Sequence, residues 1–263
     1  MASRVARHRL AAAAALALTA LTAPTAPTAV APAFGQSAEE SEYAACLKLL
    51  DHDAAAAFES ALAWRDIGGG APARHCAALA LVRLGQPAEA ATRLEALAAD
   101  MADARPWLRA GVLAQAGQAW LTADQPERAY AAFTVALEIT PEAPEIYIDR
   151  AQALAQAGAF WEAIDDLGQA IELAPGRADA YAFRASAYRY IDNLELALDD
   201  AERALALAPD DPIARLERGN IRRLQGDDAG ARADWLRVLS VAPGGHAADD
   251  ARTNLERLDV KTD

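Results

Sequence analysis

The sequence predicts an all-α fold built as a solenoid of antiparallel helix pairs, and three observations carry that prediction. Alanine dominates the apolar residues while aromatic side chains make up 6% of the chain, a balance suited to closely packed helices rather than strands. Pro141, Pro175, Pro209 and Pro243 stand 34 residues apart. Small residues return in the same register. With each proline at position 32 of a unit, position 8 is Gly117, Ala151, Ala185 and Gly219. Position 20 is then Ala129, Ala163, Ala197 and Ala231, and position 27 is Ala136, Ala170, Ala204 and Val238. Two helices approach closely only where their facing residues are small, and a fixed period of this length marks one helix hairpin per unit.

Taken in order, residues 1–33 have the layout of a cleaved secretory signal. A positive stretch ends at Arg9, an apolar run follows from Leu10 to Ala23, and small residues close the segment at Ala31, Pro32 and Ala33. That run is 14 residues long, short of the roughly 20 that span a bilayer. The exported chain is therefore expected in the periplasm, with no direct membrane insertion after cleavage. Residues 34–41 read as a flexible segment and 42–70 as a degenerate first helix pair, closed by Gly68, Gly69 and Gly70. A unit at 71–104 turns at Gly85, and residues 105–109 are five extra residues that lengthen the next helix, with Pro106 suited to its first turn. Four regular units follow at 110–143, 144–177, 178–211 and 212–245, each stopped by its proline. Asp124, Gly158, Asp192 and Gly226 supply the turns between their helices. A capping helix at 246–258 shields the end of the array, and 259–263 form a disordered tail.

Between the small positions lie larger ones that fill the remaining space: Trp120, Leu154 and Tyr188 at position 11, Phe133, Leu167 and Trp235 at position 24, and Leu137, Ile171, Leu205 and Leu239 at position 28. With these residues in register the chain resembles the tetratricopeptide repeat family. The resemblance implies a right-handed superhelical solenoid and a protein-binding role. It also implies that positions 2, 5, 9 and 12 of each first helix line a concave groove. Arg215 and Arg222 depart from the family pattern at positions 4 and 11, which marks the last unit as more loosely packed or open to a partner. The family's Lys/Asn clamp for chaperone tails is not reproduced, because position 5 is His75, Ala114, Ile148, Ala182 and Leu216.

On that groove, position 9 is a polar row of Gln118, Gln152, Ser186 and Asn220. Such side chains both donate and accept, so they suit the backbone of an extended peptide. Arg189 and Arg223 at position 12 add positive charge able to hold a carboxylate, among Glu145, Asp149, Asp179 and Glu217. Arg recurs at position 7 as Arg150, Arg184 and Arg218, and the same three units carry Asp at position 23, as Asp166, Asp200 and Asp234. This predicts a structural ladder of ion pairs, either Arg150 with Asp166 inside a unit or Asp166 with Arg184 across units. Cys46 and Cys76 are the only cysteines, and in an oxidising compartment they are expected to form a disulfide rather than two buried thiols. Trp161 is expected to pack on the following unit, the alternative being a hot spot for a partner.

Charge and motif bound the function. Removing residues 1–33, with three arginines and no acid, leaves 22 basic against 38 acidic residues, a net −16. Such a surface repels nucleic-acid phosphates. The spacing of His52 and His75 fits no zinc motif, and no nucleophile elbow, Walker loop or dinucleotide fingerprint occurs. Catalytic residues, metal and cofactor are accordingly expected to be absent. The expected function is a scaffold of the bacterial cell envelope that binds a protein partner in its groove; the alternative is a regulatory subunit of an envelope peptidoglycan hydrolase or protease.

Overall fold

A computed structural model describes residues 38–260, and among these every regular element is a helix. The segment read as a signal peptide, residues 34–37 and residues 261–263 lie outside the described residues. The amino-terminal hairpin is α1 (Ala38–Leu50) and α2 (Ala54–Asp66), followed by α3 (Gly70–Arg83) with α4 (Pro87–Asp100). The regular units contribute α5 (Pro106–Thr122) with α6 (Pro126–Ile139), α7 (Pro144–Gln156) with α8 (Phe160–Leu173), α9 (Ala178–Tyr190) with α10 (Leu194–Leu207), and α11 (Pro212–Leu224) with α12 (Asp228–Val241). A single helix, α13 (His246–Val260), ends the array. Two boundaries differ from expectation. α1 already begins at Ala38, inside the stretch expected to be flexible, and α13 runs on to Val260 with Leu258 buried.

Local chemistry fixes where each helix stops. The second helices α6, α8, α10 and α12 end two residues before the periodic prolines. Their C-cap residues, Thr140, Ala174, Ala208 and Ala242, have φ from −132 to −142° and ψ from 78 to 86°. A proline ring forces its predecessor out of the helical region. The turns inside the units need a left-handed residue, and Gly158 and Gly226 take φ of 80° and 86° there, while Asp124 and Asp192 take 57° and 60°. Aspartate is among the few side chains that tolerate this region. The next amide closes each turn by bonding back to the fifth carbonyl before it, as from Gln125 to Trp120 and Asn193 to Tyr188, both at 2.9 Å.

Each second helix packs on the first helix of the following unit, α6 on α7 and α8 on α9, and the first helices α5, α7, α9, α11 and α13 also touch in sequence. Positions 20 and 27 are fully buried in all four regular units. At position 8 the fit is tighter still. A Cβ added to Gly117 would come within 2.6 Å of the Phe133 ring, and one on Gly219 within 2.6 Å of the Trp235 indole. Units with alanine at position 8 carry Leu167 or Ala201 at position 24 instead. The glycine and the aromatic are thus one packing solution, and the alanine with a smaller partner is another.

The last unit is not loosened by its departures. Trp235 is 2% exposed, and Arg215 and Arg222 turn towards buried Asp234. Trp161 also departs from expectation: it is 65% exposed, while its neighbour Phe160 makes the inter-unit contact. The Phe160 ring stacks on Tyr190 at 4.6 Å between centroids, with 3° between the planes. Successive side chains of a helix point about 100° apart, so Phe160 faces the next unit and Trp161 does not.

Candidate functional site

The arginine ladder forms within units. Arg150 donates Nε and Nη2 to Asp166 at 2.7 Å each, Arg184 reaches Asp200 at 2.7 and 2.9 Å, and Arg218 reaches Asp234 at 2.9 and 2.5 Å. The carboxylates are 10%, 10% and 3% exposed. Forked geometry of this kind is the strongest form of such a pair. The aspartate bond is the main cause holding all three guanidinium pKa values above their ordinary range. The remaining nitrogen faces position 25 of the preceding unit: Arg150 Nη1 donates to Thr134 at 3.2 Å, and Arg184 Nη1 stands 4.0 Å from where Gly168 would carry a Cβ. Asp234 takes two further arginines, Arg222 at 2.8 Å and Arg215 at 3.6 Å. The ladder is fully engaged in the fold.

Much of the expected groove lining is engaged in the fold as well. Gln118 donates to Asp149 of the next first helix at 2.9 Å. Asn220 Oδ1 accepts from Trp235 Nε1 at 3.2 Å and from Asn254 at 2.9 Å. Arg189 donates to Glu217 at 2.7 Å, with the two side chains only 17% and 10% exposed. Gln152 bonds back to the Ile148 carbonyl of its own helix at 3.5 Å, and Ser186 is half-buried. The first helices sit side by side, so polar groups on their flanks meet each other before they meet a ligand. Asp149 shows the cost: burial raises its pKa, partly countered by the Gln118 bond.

At the carboxyl end of the row the lining stays open. A cavity of about 840 Å³ between α11 and α13 is lined by Arg189, Arg223, Asn220, Trp235, Asn254 and Arg257, among others. Arg223 is held only by Asp228, at 2.9 Å, whose side chain is half exposed. Asn254 and Arg257 were not expected at the site, although the sequence carries their signal. They follow Asn220 and Arg223 by 34 residues. α13 therefore stands in the register of a first helix, and it continues positions 9 and 12 past the last periodic proline.

At the other end, the Cys46 and Cys76 sulfurs are 1.91 Å apart, at disulfide distance, and both residues are buried. Beside them His75 Nδ1 meets the Tyr43 hydroxyl at 2.7 Å, and its Nε2 meets Gln115. Burial lowers the His75 pKa. His52 is exposed in the turn after α1. Among the described residues no group of three His, Cys, Asp or Glu side chains is placed to hold a metal ion, and no helix is long and apolar enough to cross a membrane.

Paired helices in a 34-residue register, with small residues at the crossings and proline after each pair, define a tetratricopeptide-repeat solenoid. Residues 178–211 match the family model described as Tetratricopeptide repeat. Among solved structures, MamA 41-end from Desulfovibrio magneticus RS-1 is 22% identical, covering 65% of this chain and 94% of its own, with a TM-score of 0.55. TTC0263, a thermophilic TPR protein of Thermus thermophilus, is 19% identical over 73% of this chain and 100% of its own, with a TM-score of 0.59. These likenesses establish the fold. No curated protein matches the sequence.

Proposed function

We propose that the chain is a protein-interaction scaffold of the periplasm that holds a partner segment along the face made by its first helices. The observation that carries this reading is the cavity at the carboxyl end of that face, where Arg189, Arg223 and Arg257 converge from three successive first helices. Glu217 neutralises Arg189, and an exposed partner such as Asp228 holds Arg223 only weakly. Arg223 and Arg257 therefore bring donors suited to a carboxylate to a lining that also carries Glu256, while Trp235 and Leu224 add apolar wall. A solenoid offers such a surface to extended ligands without any large change of shape.

The test is photo-crosslinking in cells. A photoreactive residue at exposed Gln118 or Leu224 is expected to capture a partner protein that one at Leu196, on the second helix of its unit, does not. The Arg223→Ala/Arg257→Ala variant should lose most of the adduct. Equal adducts from all three sites, or none, would overturn the reading. Export is checked on the same material. The mature chain should begin between Ala33 and Ala38, and Cys46 and Cys76 should resist alkylation until reduced. An intact amino terminus with two free thiols would remove the periplasmic assignment.

A further inference from the structure

A second cavity, of about 490 Å³, lies between the first turns of α5 and the connection from α6 to α7. Its outer wall is Trp107, which belongs to the five residues outside the 34-residue register and is 60% exposed. Ile146, Ala110 and Ala114 make the floor apolar. Gly111 keeps that floor open, since a Cβ there would meet no atom within 4 Å. The charged residues of the lining are both carboxylates, Glu142 and Glu145, and both are exposed. Glu145 in turn adds to the negative field at Asp149 and at Arg177, whose own fork is taken by Asp179 at 2.9 and 2.6 Å.

An exposed tryptophan beside a concave apolar floor is the composition of an anchoring pocket, and its rim sets what enters. Two carboxylates with no cation in the lining disfavour an acidic segment and draw a basic one. We propose that this cavity docks a basic, apolar segment of a partner protein. One bulky aliphatic or aromatic side chain seats against Trp107 and Ile146, and a neighbouring lysine or arginine meets Glu142 and Glu145. The proposal rests on the groove reading and gives it a residue-level preference at the opposite end from the arginine cavity.

The probe is a blocked hexapeptide alternating leucine and lysine, titrated calorimetrically into the full chain. Leucine–glutamate and serine–lysine peptides serve as comparators. The leucine–lysine peptide should bind about tenfold more tightly than either, and Trp107→Ala and Gly111→Leu should each weaken it by about tenfold. Gly111→Leu fills the floor while the fold accommodates it, so its thermal melt should match or exceed that of the parent. Glu142→Gln/Glu145→Gln should cost about fivefold, whereas Glu127→Gln/Glu138→Gln, the same charge change on α6, should cost less than about twofold.

Undiminished binding to Gly111→Leu, or equal binding of the serine–lysine peptide, would reduce the effect to general attraction by an acidic surface and overturn the proposal. So would a dimer-to-monomer shift of Gly111→Leu in sedimentation, which would assign the cavity to a second copy of the chain. The two readings separate cleanly. Peptide binding with no adduct in cells faults the groove reading, and adducts unaffected by Gly111→Leu with no peptide binding fault this one.

Discussion

Asp234 sits buried among three guanidiniums, with Arg218 at 2.5 Å, Arg222 at 2.8 Å and Arg215 at 3.6 Å. Asp166 and Asp200 each serve one. Removing a partner from a buried pair strands the other charge, so Asp200→Ala should cost about 3 kcal/mol. In the Asp200→Ala/Arg184→Leu double variant the loss should be clearly less than the sum of the single losses, as thermal melts would show. Asp234→Ala should be the most damaging of the three. Asp149 makes the opposite case. Its pKa is raised by burial, so ionising it opposes folding at neutral pH. That opposition disappears once pH falls below about 4, where the unfolded chain is protonated as well. Asp149→Asn should therefore raise the melting temperature at pH 7 and leave it unchanged near pH 3; an equal gain at both pH values would rule out titration as the cause. The joint appearance of Arg at position 7 and Asp at position 23 made the ladder legible in the sequence. Its direction was not legible, because partners 16 and 18 residues apart are both within reach of a long guanidinium arm.

At the scale of the helix pair, Gly117 and Gly219 face an aromatic ring at a distance no alanine can share. Gly117→Ala should cost about 1–3 kcal/mol through overpacking. Gly117→Ala/Phe133→Leu should recover most of that loss, because it rebuilds the arrangement of Ala151 with Leu167. Failure of the second change to rescue the first, in urea melts, would mean that the neighbouring units set the packing. The letters for this coupling stand in the sequence, yet spacing alone does not say which large residue touches which small one. Helix ends were more readable: proline and left-handed turn residues act through local sterics, which period and residue type expose directly. The hydrogen bonds of the polar row were hidden for a related reason. Position 9 does lie on the flank of each first helix, but the adjacent first helix approaches closely enough to take Gln118 and Asn220 into its own hydrogen bonds. The sequence showed the face and not the distance between faces.

Across the whole array, contacts are dominated by elements adjacent in the chain. Stability in such molecules is close to a sum over units and their interfaces. The two candidate cavities stand near opposite ends of the regular units. The arginine-lined one is completed by the half-unit α13, and the acid-rimmed one by residues inserted ahead of α5. Both owe their character to irregularities of the repeat. The period fixes the scaffold, and the breaks in it distinguish one surface from another.

Because each ladder pair closes inside its own unit, the chain can be shortened or lengthened by whole repeats without splitting a ladder pair. Excising 144–177 takes Arg150 and Asp166 out together and parts Arg177 from Asp179, a pair whose side chains are 38% and 39% exposed. Excising 178–211 differs, because Arg189 leaves while Glu217, 8% exposed, stays behind. The second deletion should be less stable than the first by about 3 kcal/mol, and Glu217→Gln should restore most of the difference. Equal stability of the two would show that Glu217 finds water or another donor. Repeat number is thus indifferent to the ladder pairs and constrained where a buried pair bridges two units.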